Sequence, residues 1–405
     1  MNIQAPAPNV APRVSQVSGA TTLLLAFACG ATVANIYYAQ PLAGEIAQSF
    51  GMAPATAGLV VTLTQLGYML GLFFLVPLAD LIENRKLIVA CTLLGAAALA
   101  SAAFAPTAAA FLAAAAAIGF VSVAVQIVVP LAAHLAPDAT RGRVVGLVTS
   151  GLMIGILFAR PVASFLAAAT SWRIVFAASA LLMVGLALLL SRALPRREPV
   201  ARMSYPALIN SMARLAMETP VLRLRAFYQA MLFATFSLFW TTSPLLLAGP
   251  AYGFTQRGIG LFALVGVSGA VAAPIAGRLA DRGYSRPATG GAIALVAFGL
   301  LATLLGPEGS RAGLALLSAA AVIIDFGVQT NLVLGYRAIF NVAPDARARM
   351  NGVYLASLFA AGAVGSALGG YAYAHGGWRA AVSVGLIFPC LAFARFLWEF
   401  VRGRG

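Results

Sequence analysis

Apolar residues run along this chain in long blocks separated by short polar punctuation, at 20–47, 56–79, 86–105, 107–135, 143–168, 173–194, 223–249, 257–281, 287–305, 312–341, 349–374 and 378–400. Blocks of this length match the roughly 20 residues an α-helix needs to cross a ~30 Å hydrocarbon core. A helix is also the open structure that satisfies its own backbone within lipid. The pattern predicts twelve membrane helices, numbered here as segments 1–12. One long polar connection, from about Ser191 to Glu218, carries Pro195, Pro199, Pro206 and five arginines and divides the chain into six plus six. Its apolar stretch from Leu208 to Met217 predicts a short helix on the membrane surface.

The two halves share landmarks. Leu78-Ala79-Asp80 returns as Leu279-Ala280-Asp281, Ala136-Pro137-Asp138 as Ala343-Pro344-Asp345, and Trp172-Arg173 as Trp378-Arg379. Pro41 matches Pro244, Gly51 matches Gly253 and Arg85 matches Arg286. Six is an even number, so both halves enter the membrane from the same side and the repeats are parallel, related by an axis along the membrane normal.

Composition agrees: 61% of residues are hydrophobic, 9% are charged and mean hydropathy is +0.92. A net charge of +15 would suggest nucleic acid in a soluble protein, but here the arginines gather in alternate loops. Arg85, Lys86, Arg141, Arg143, Arg278, Arg282 and Arg286 lie on one side with the polar connection, against Arg173, Arg257, Arg311 and Arg379 on the other. By the positive-inside rule both termini are expected in the cytoplasm, with no nucleic-acid role. Residues 1–19, polar and without a cleavage site, are read as a cytoplasmic tail. Residues 20–194 are the first six-helix bundle, 195–222 the cytoplasmic linker, 223–400 the second bundle and 401–405 a second tail. Cys29, Cys91 and Cys390 lie far apart in apolar segments, and His134 and His375 are the only histidines. Neither a disulfide framework, a metal site nor a cofactor is expected.

Glycines four apart let helix backbones approach closely in lipid. Within helices such pairs occur at Gly67/Gly71, Gly142/Gly146, Gly151/Gly155 and Gly365/Gly369, with a looser series Gly269, Ala273, Gly277, confining them to segments 2, 5, 8 and 11. With this pattern the chain resembles the major facilitator superfamily from about residue 20 to 400. In that family helices 2, 5, 8 and 11 form the contact between the halves, and the loops after helices 2 and 8 carry a GxxxD signature with basic neighbours. The second copy, Gly277, Asp281 and Arg282 in GRLADR, is the better match; the first keeps Asp80, Arg85 and Lys86 but has Val76 in place of glycine. The resemblance implies an all-α integral membrane protein of two parallel six-helix bundles. Asp80 and Asp281, at helix ends, are expected to pair with arginines or cap a neighbouring helix in one conformation and release it in the other; the alternative is a solvated loop that only fixes topology.

Two ionisable residues interrupt otherwise apolar helices: Arg160 on segment 5 and Asp325 on segment 10. A charge near the bilayer centre costs roughly 2.5–3.5 kcal/mol on insertion scales and so faces a partner or a wet cavity. Counted from Asp138 and Asp345, the two stand at similar depth. Asp325 is expected to load and release a proton during transport, and Arg160 to pair with it or with an anionic substrate; a static ion pair or a hydrogen-bonded kink at Pro161 is the alternative. Glu45, near the other end of segment 1, suits a gate or a wet surface. In the repeat, Arg160 corresponds to Ser366 and Asp325 to Ile118, so the charges break the symmetry.

Segments 1, 4, 7 and 10 are implied by the resemblance to line a central path. On them Asn35, Tyr37, Tyr38 and Gln40, Gln126, Phe236, Phe239 and Trp240, and Gln329 and Asn331 place polar and aromatic groups at membrane depth. Such a wall suits a lipophilic or weakly basic organic molecule. Drug exporters of the family carry an arginine on helix 4, where this chain has Ala115 with Ile118-Gly119, and a GP pair ending a helix 5 motif, where it has Arg160-Pro161 after Gly146, Gly151 and Gly155. The expectation is a monomeric secondary transporter of the bacterial inner membrane, using a small-molecule substrate and protons in efflux. Uptake or facilitated diffusion remains open, and a membrane enzyme or channel more remotely. Scarce His, Cys and intramembrane acids disfavour an enzyme, and no GxxxxGK[ST] loop supports a primary pump.

Overall fold

The computed structural model describes residues 18–199, 203–342 and 346–402. Most of the predicted first tail, the second Ala-Pro-Asp landmark at 343–345 and residues 403–405 lie outside that range. Ten helices are long and apolar enough to cross a membrane, and α1 (Gly19–Ala34) with α2 (Ala39–Ser49) makes an eleventh passage bent by 40°. The last helix, α15 (Arg347–Val401), is two passages: at Gly377 the backbone takes φ 63° and ψ −159°, outside the helical range and tolerated by glycine. The described residues therefore make twelve passages, arranged as two parallel six-helix repeats.

Three predicted segments are broken. Segment 1 splits at Asn35–Tyr38 because Pro41 has no N–H to return to the Tyr37 carbonyl. The junction is held by short-range bonds, Tyr37 N–H to the Ala34 carbonyl at 2.9 Å and Gln40 N–H to the Tyr37 carbonyl at 3.3 Å. Segment 4 divides into α5 (Ala108–Ser122) and α6 (Val125–Leu135), with Pro130 one turn beyond Gln126. Segment 8 is α11 (Gln256–Val265) and α12 (Ala272–Asp281) joined by a 3₁₀ stretch at Gly266–Val271. The rest are single helices: α3 (Leu59–Phe74), α4 (Asn84–Ala103), α7 (Arg141–Ala169), α8 (Trp172–Ala193), α10 (Pro220–Ala248), α13 (Ser285–Ala302) and α14 (Arg311–Phe340).

The repeat has a packing counterpart. Arg173, at the start of α8, donates to the Ala103 and Ala105 carbonyls at the end of α4, at 2.9 and 3.2 Å. Trp378, starting the last passage, donates to Thr303 Oγ1 at the end of α13, at 2.9 Å. Each half thus ties its sixth passage to its third.

The halves meet through α3 with the first part of α15, α7 with α11, and α2 with α10. Three of the four glycine pairs do something else: Gly67 and Gly71 lie against α5 at Ala116 and Phe120, Gly151 and Gly155 against α1 at Ala26 and Gly30, and Gly365 and Gly369 against α10, while a Cβ at Gly142 or Gly146 would meet nothing within 4 Å. Those three seat neighbours within a half and none of the four lies at the seam, which corrects the expectation that they mark it. Close approach across the seam falls elsewhere, at Gly58 against Ser366 and Gly370 and at Gly260 against Ser164. Thr62 and Ser366 hydroxyls bond there at 2.8 Å, and Gln65 Nε2 donates to Ser237 Oγ at 2.8 Å. These contacts lie toward the face opposite Asp80 and Asp281, so the halves are shut on that side.

The polar connection forms the predicted short helix, α9 (Tyr205–Glu218), whose apolar face buries Leu208 and Met212 against the rest of the protein. Met212 packs with Ala346, Met350 and Val353 of the second half, while Tyr205 Oη donates to the Phe74 carbonyl of the first at 2.8 Å.

Candidate functional site

Arg160, on α7 beside Pro161, is 3% exposed, and Asp325, on α14, is 4% exposed. They make no direct ion pair, contrary to the simplest expectation. Trp240 of α10 stands between them: its indole Nε1 donates to Asp325 Oδ1 at 2.8 Å, and the Arg160 guanidinium lies over its ring, 4.3 Å from the centroid. A ring face attracts a cation while its N–H edge serves an anion, so one side chain accommodates both charges. Phe236 and Tyr37 complete the aromatic surround at 5.1 and 5.3 Å from the guanidinium. Arg160 Nε donates to Gln40 Oε1 at 2.7 Å. The break after α1 and the proline that causes it turn Tyr37 and Gln40 toward this cluster.

Asp325 fits because segment 8 has no side chains in the way. A Cβ at Gly269 would lie 2.8 Å from the Asp325 Cβ, and one at Gly266 would lie 2.7 Å from the Trp240 ring and 3.0 Å from Asp325 Oδ2. The 3₁₀ stretch brings both glycines against the acid.

Below the cluster a cavity of about 520 Å³ extends toward the face that carries Asp80 and Asp281. Tyr37 and Phe236 line its inner end; Phe340, Arg347 and Asn351 line its mouth. One wall is a run of aromatic contacts, Tyr68 to Phe359 at 4.4 Å, Phe359 to Phe233 at 5.2 Å, and Phe233 stacked on Phe236 at 5.2 Å. Amides interrupt it: Gln126, bonded to Tyr68 Oη at 3.1 Å, with Gln229 and Gln329. Arg347 is the one charged residue of the lining among the described residues.

Of the residues expected on the path, Tyr37, Gln126, Phe236 and Gln329 line the cavity, while Gln40 and Trp240 sit behind it in the charged cluster. Four go elsewhere. Asn35 accepts from Ser179 of α8 at 2.7 Å, spending its amide inside the first half. Tyr38 is buried beside it. Phe239 packs on Trp378, centroids 6.0 Å apart. Asn331 donates to Gln229 Oε1 at 2.8 Å. A 3.6-residue period turns neighbours to different sides, and the sequence alone does not say which side faces the axis. Tyr68, Gln229, Phe233, Tyr336, Asn351 and Phe359 are lining residues the sequence reading missed. The signal for Tyr68 and Gln229 was present, a polar group at membrane depth, but Tyr68 lies on segment 2, outside those implied to line the path.

At the mouth Asp281 pairs with Arg337 of the same half. Asp80 is exposed and makes no ion pair among the described residues. Arg85 donates to the Leu194 carbonyl at 3.3 Å, while Lys86 and Arg282 are exposed. Among the described residues neither Asp80 nor Asp281 forms an ion pair from one signature loop to the other in this open arrangement. Glu45 is half-buried on α2 at the shut side, where Gln256 of the other half donates to the nearby Pro41 carbonyl at 3.2 Å.

Comparison with known proteins bears on this architecture. The family model described as Major Facilitator Superfamily matches residues 22–208 and 225–404. The uncharacterized transporter YgaY of Escherichia coli O157:H7 is 40% identical over 363 residues, 90% of this chain and 91% of its own length. The protein named "Probable transporter SCO4007" from Streptomyces coelicolor is 34% identical over 362 residues, 89% of this chain and 83% of its own. Among solved structures, a point mutant of the nucleoside transporter NupG superposes with a TM-score of 0.75 at 15% identity, over 93% of this chain and 100% of that one. A bacterial homolog of the human lysosomal transporter Spinster, inward-facing and occupied, gives 0.71 at 14% identity, over 94% and 96%.

Proposed function

The chain belongs to the major facilitator superfamily and is a multi-pass membrane transporter; on that premise we propose that it carries a small, flat, lipophilic organic molecule by alternating access, coupled to protons through Asp325. The observation that carries this reading is the cavity. It is predominantly apolar and aromatic, has a few amides to orient a solute, opens toward one face only, and ends beneath a buried acid and base. The arginine distribution makes that face cytoplasmic, so the arrangement is open inward, with both termini in the cytoplasm and the bilayer being the inner membrane. One chain encloses the whole cavity, so a monomer suffices.

The weakly basic substrates expected from the sequence find little to meet here. Among the described residues no carboxylate lines the cavity, Asp325 lies behind Trp240, and the charges nearest a bound molecule are Arg347 and Arg160. A neutral or anionic molecule fits this lining better than a cation. Efflux follows if substrate and proton displace one another, and uptake if they bind together.

Proteoliposome flux tests the reading. Saturable counterflow of aromatic solutes, made concentrative by an imposed pH gradient in wild type but not in Asp325→Asn, is the expected result. Flux that is indifferent to the gradient removes proton coupling, and non-saturating conductance removes the carrier.

A further inference from the structure

The Arg160 guanidinium has an unfinished set of hydrogen bonds. Its Nε is committed to Gln40 Oε1 at 2.7 Å, but Nη2 is buried without a partner, and so is Nε2 of the same Gln40. Both residues are almost fully enclosed, at 3% and 1% exposure. The ring faces of Trp240, Phe236 and Tyr37 ease the burial of the positive charge, yet a ring face offers no acceptor to an in-plane N–H. Asp325 does not fill the gap either: its Oδ1 accepts from the Trp240 indole, and neither of its oxygens comes within 4 Å of an Arg160 guanidinium nitrogen to form an ion pair. Buried donors without acceptors are costly, and a buried cation without an anion more so.

Each unpaired donor belongs to the same planar group as one end of the Nε–Oε1 hydrogen bond. Nη2 shares a fork with Nε, and Nε2 shares an amide with the oxygen on which that fork rests. Two adjacent N–H groups, one from a cation, match the two oxygens of a carboxylate. Tyr37 and Phe236 line the inner end of the cavity and lie against the guanidinium, so a ligand that reaches past them meets these donors.

We propose that Arg160 and Gln40 form a carboxylate subsite at the inner end of the cavity, which makes the carried molecule an aromatic or lipophilic monocarboxylic acid. The inference rests on the carrier reading above and adds the substrate class. The acid's ring occupies the aromatic wall and its carboxylate takes the unpaired N–H of each residue. Charge then sets the coupling. A bound carboxylate and an ionised Asp325 both draw on the Arg160 charge, with Tyr37 the other titratable side chain facing the cluster. The acid therefore binds best with Asp325 neutral, and proton and substrate travel together.

Thermal-shift measurements on the purified full-length protein test the subsite with benzoate and indole-3-acetate against benzamide and indole-3-acetamide, with acetate as the control for an anion alone. A ligand that binds the native state raises its melting temperature by mass action. The two aromatic acids are expected to stabilise the wild type and their neutral amides and acetate not to. Gln40→Leu is expected to weaken benzoate binding about tenfold, the worth of one charge-assisted hydrogen bond. Gln40→Glu places a carboxylate on Arg160 from within, so it should melt higher than wild type without ligand and ignore the acids. Asp325→Asn should bind benzoate more tightly. Equal shifts from acids and amides, no response to any acid, or a full benzoate response in Gln40→Glu overturns the subsite; weaker benzoate binding in Asp325→Asn overturns the shared travel of proton and acid. If the subsite alone fails, gradient-driven saturable flux extends to aromatic solutes without a carboxylate, whereas if the carrier reading fails neither the acids nor the amides show saturable flux.

Discussion

Trp240 donates its indole N–H to Asp325 at 2.8 Å while its ring carries the Arg160 guanidinium at 4.3 Å, so a buried acid and base are joined through an aromatic side chain rather than to each other. Trp240→Phe separates the two roles, keeping a ring face and deleting the N–H. A hydrogen bond to a charged group is worth about 1.5–3 kcal/mol. Trp240→Phe is expected to lower the melting temperature by several degrees and to blunt the response of flux to a pH gradient, with counterflow retained. Trp240→Leu, which also removes the ring, should lose both. Equal behaviour of the two variants in counterflow would show that the ring face does not matter.

Asp325→Asn keeps the shape and an acceptor for Trp240 but cannot ionise. Concentrative uptake or extrusion driven by a proton gradient should disappear, while exchange of labelled for unlabelled solute at equal concentrations continues. Gradient-driven transport that survives at wild-type level would assign the proton to another group.

Gly269→Ala drives a methyl to within 2.8 Å of the Asp325 Cβ, and Gly266→Ala drives one onto the Trp240 ring. Overpacking of this kind costs about 1–3 kcal/mol. Both should melt at lower temperature and transport poorly. Gly291→Ala on α13, where a Cβ meets nothing within 4 Å, is the control and should be neutral or slightly stabilising.

The shut side depends on backbone approach at Gly58, where a Cβ would come 2.5 Å from the Ser366 carbonyl. Gly58→Leu wedges the halves apart there and is expected to favour the state closed at the signature loops. Labelling of Asn351→Cys at the cavity mouth, in a Cys390→Ala background, should slow several-fold from the signature-loop side. An unchanged labelling rate means the seam at Gly58 is not a gate.

Asp80 is exposed in the open arrangement, whereas Asp281 is already occupied by Arg337. If Asp80 finds its partner only when the loops meet, Asp80→Asn leaves this arrangement intact and weakens the other. Labelling at Asn351→Cys should then rise; transport and labelling that match wild type would reduce Asp80 to a solvated loop residue.

The chain's apolar blocks, its paired landmarks and its one-sided arginines were sufficient for the helices, their number and the parallel repeat, because lipid imposes length and composition on each passage regardless of its neighbours. Arg160 and Asp325 were legible for the same reason, as charges too costly to leave in hydrocarbon. Their relationship was not. That Trp240 stands between them, that Gln40 rather than Asp325 meets Arg160, and that Asn35 and Asn331 turn away to Ser179 and Gln229 all depend on which side of each helix faces the axis. The glycine pairs teach the same lesson, since small residues predict close approach without naming the helix approached. Sequence determined which groups need a partner in the membrane; the packing of proline-broken helices decided which partner each one has, because a bend of a few residues re-aims every side chain beyond it.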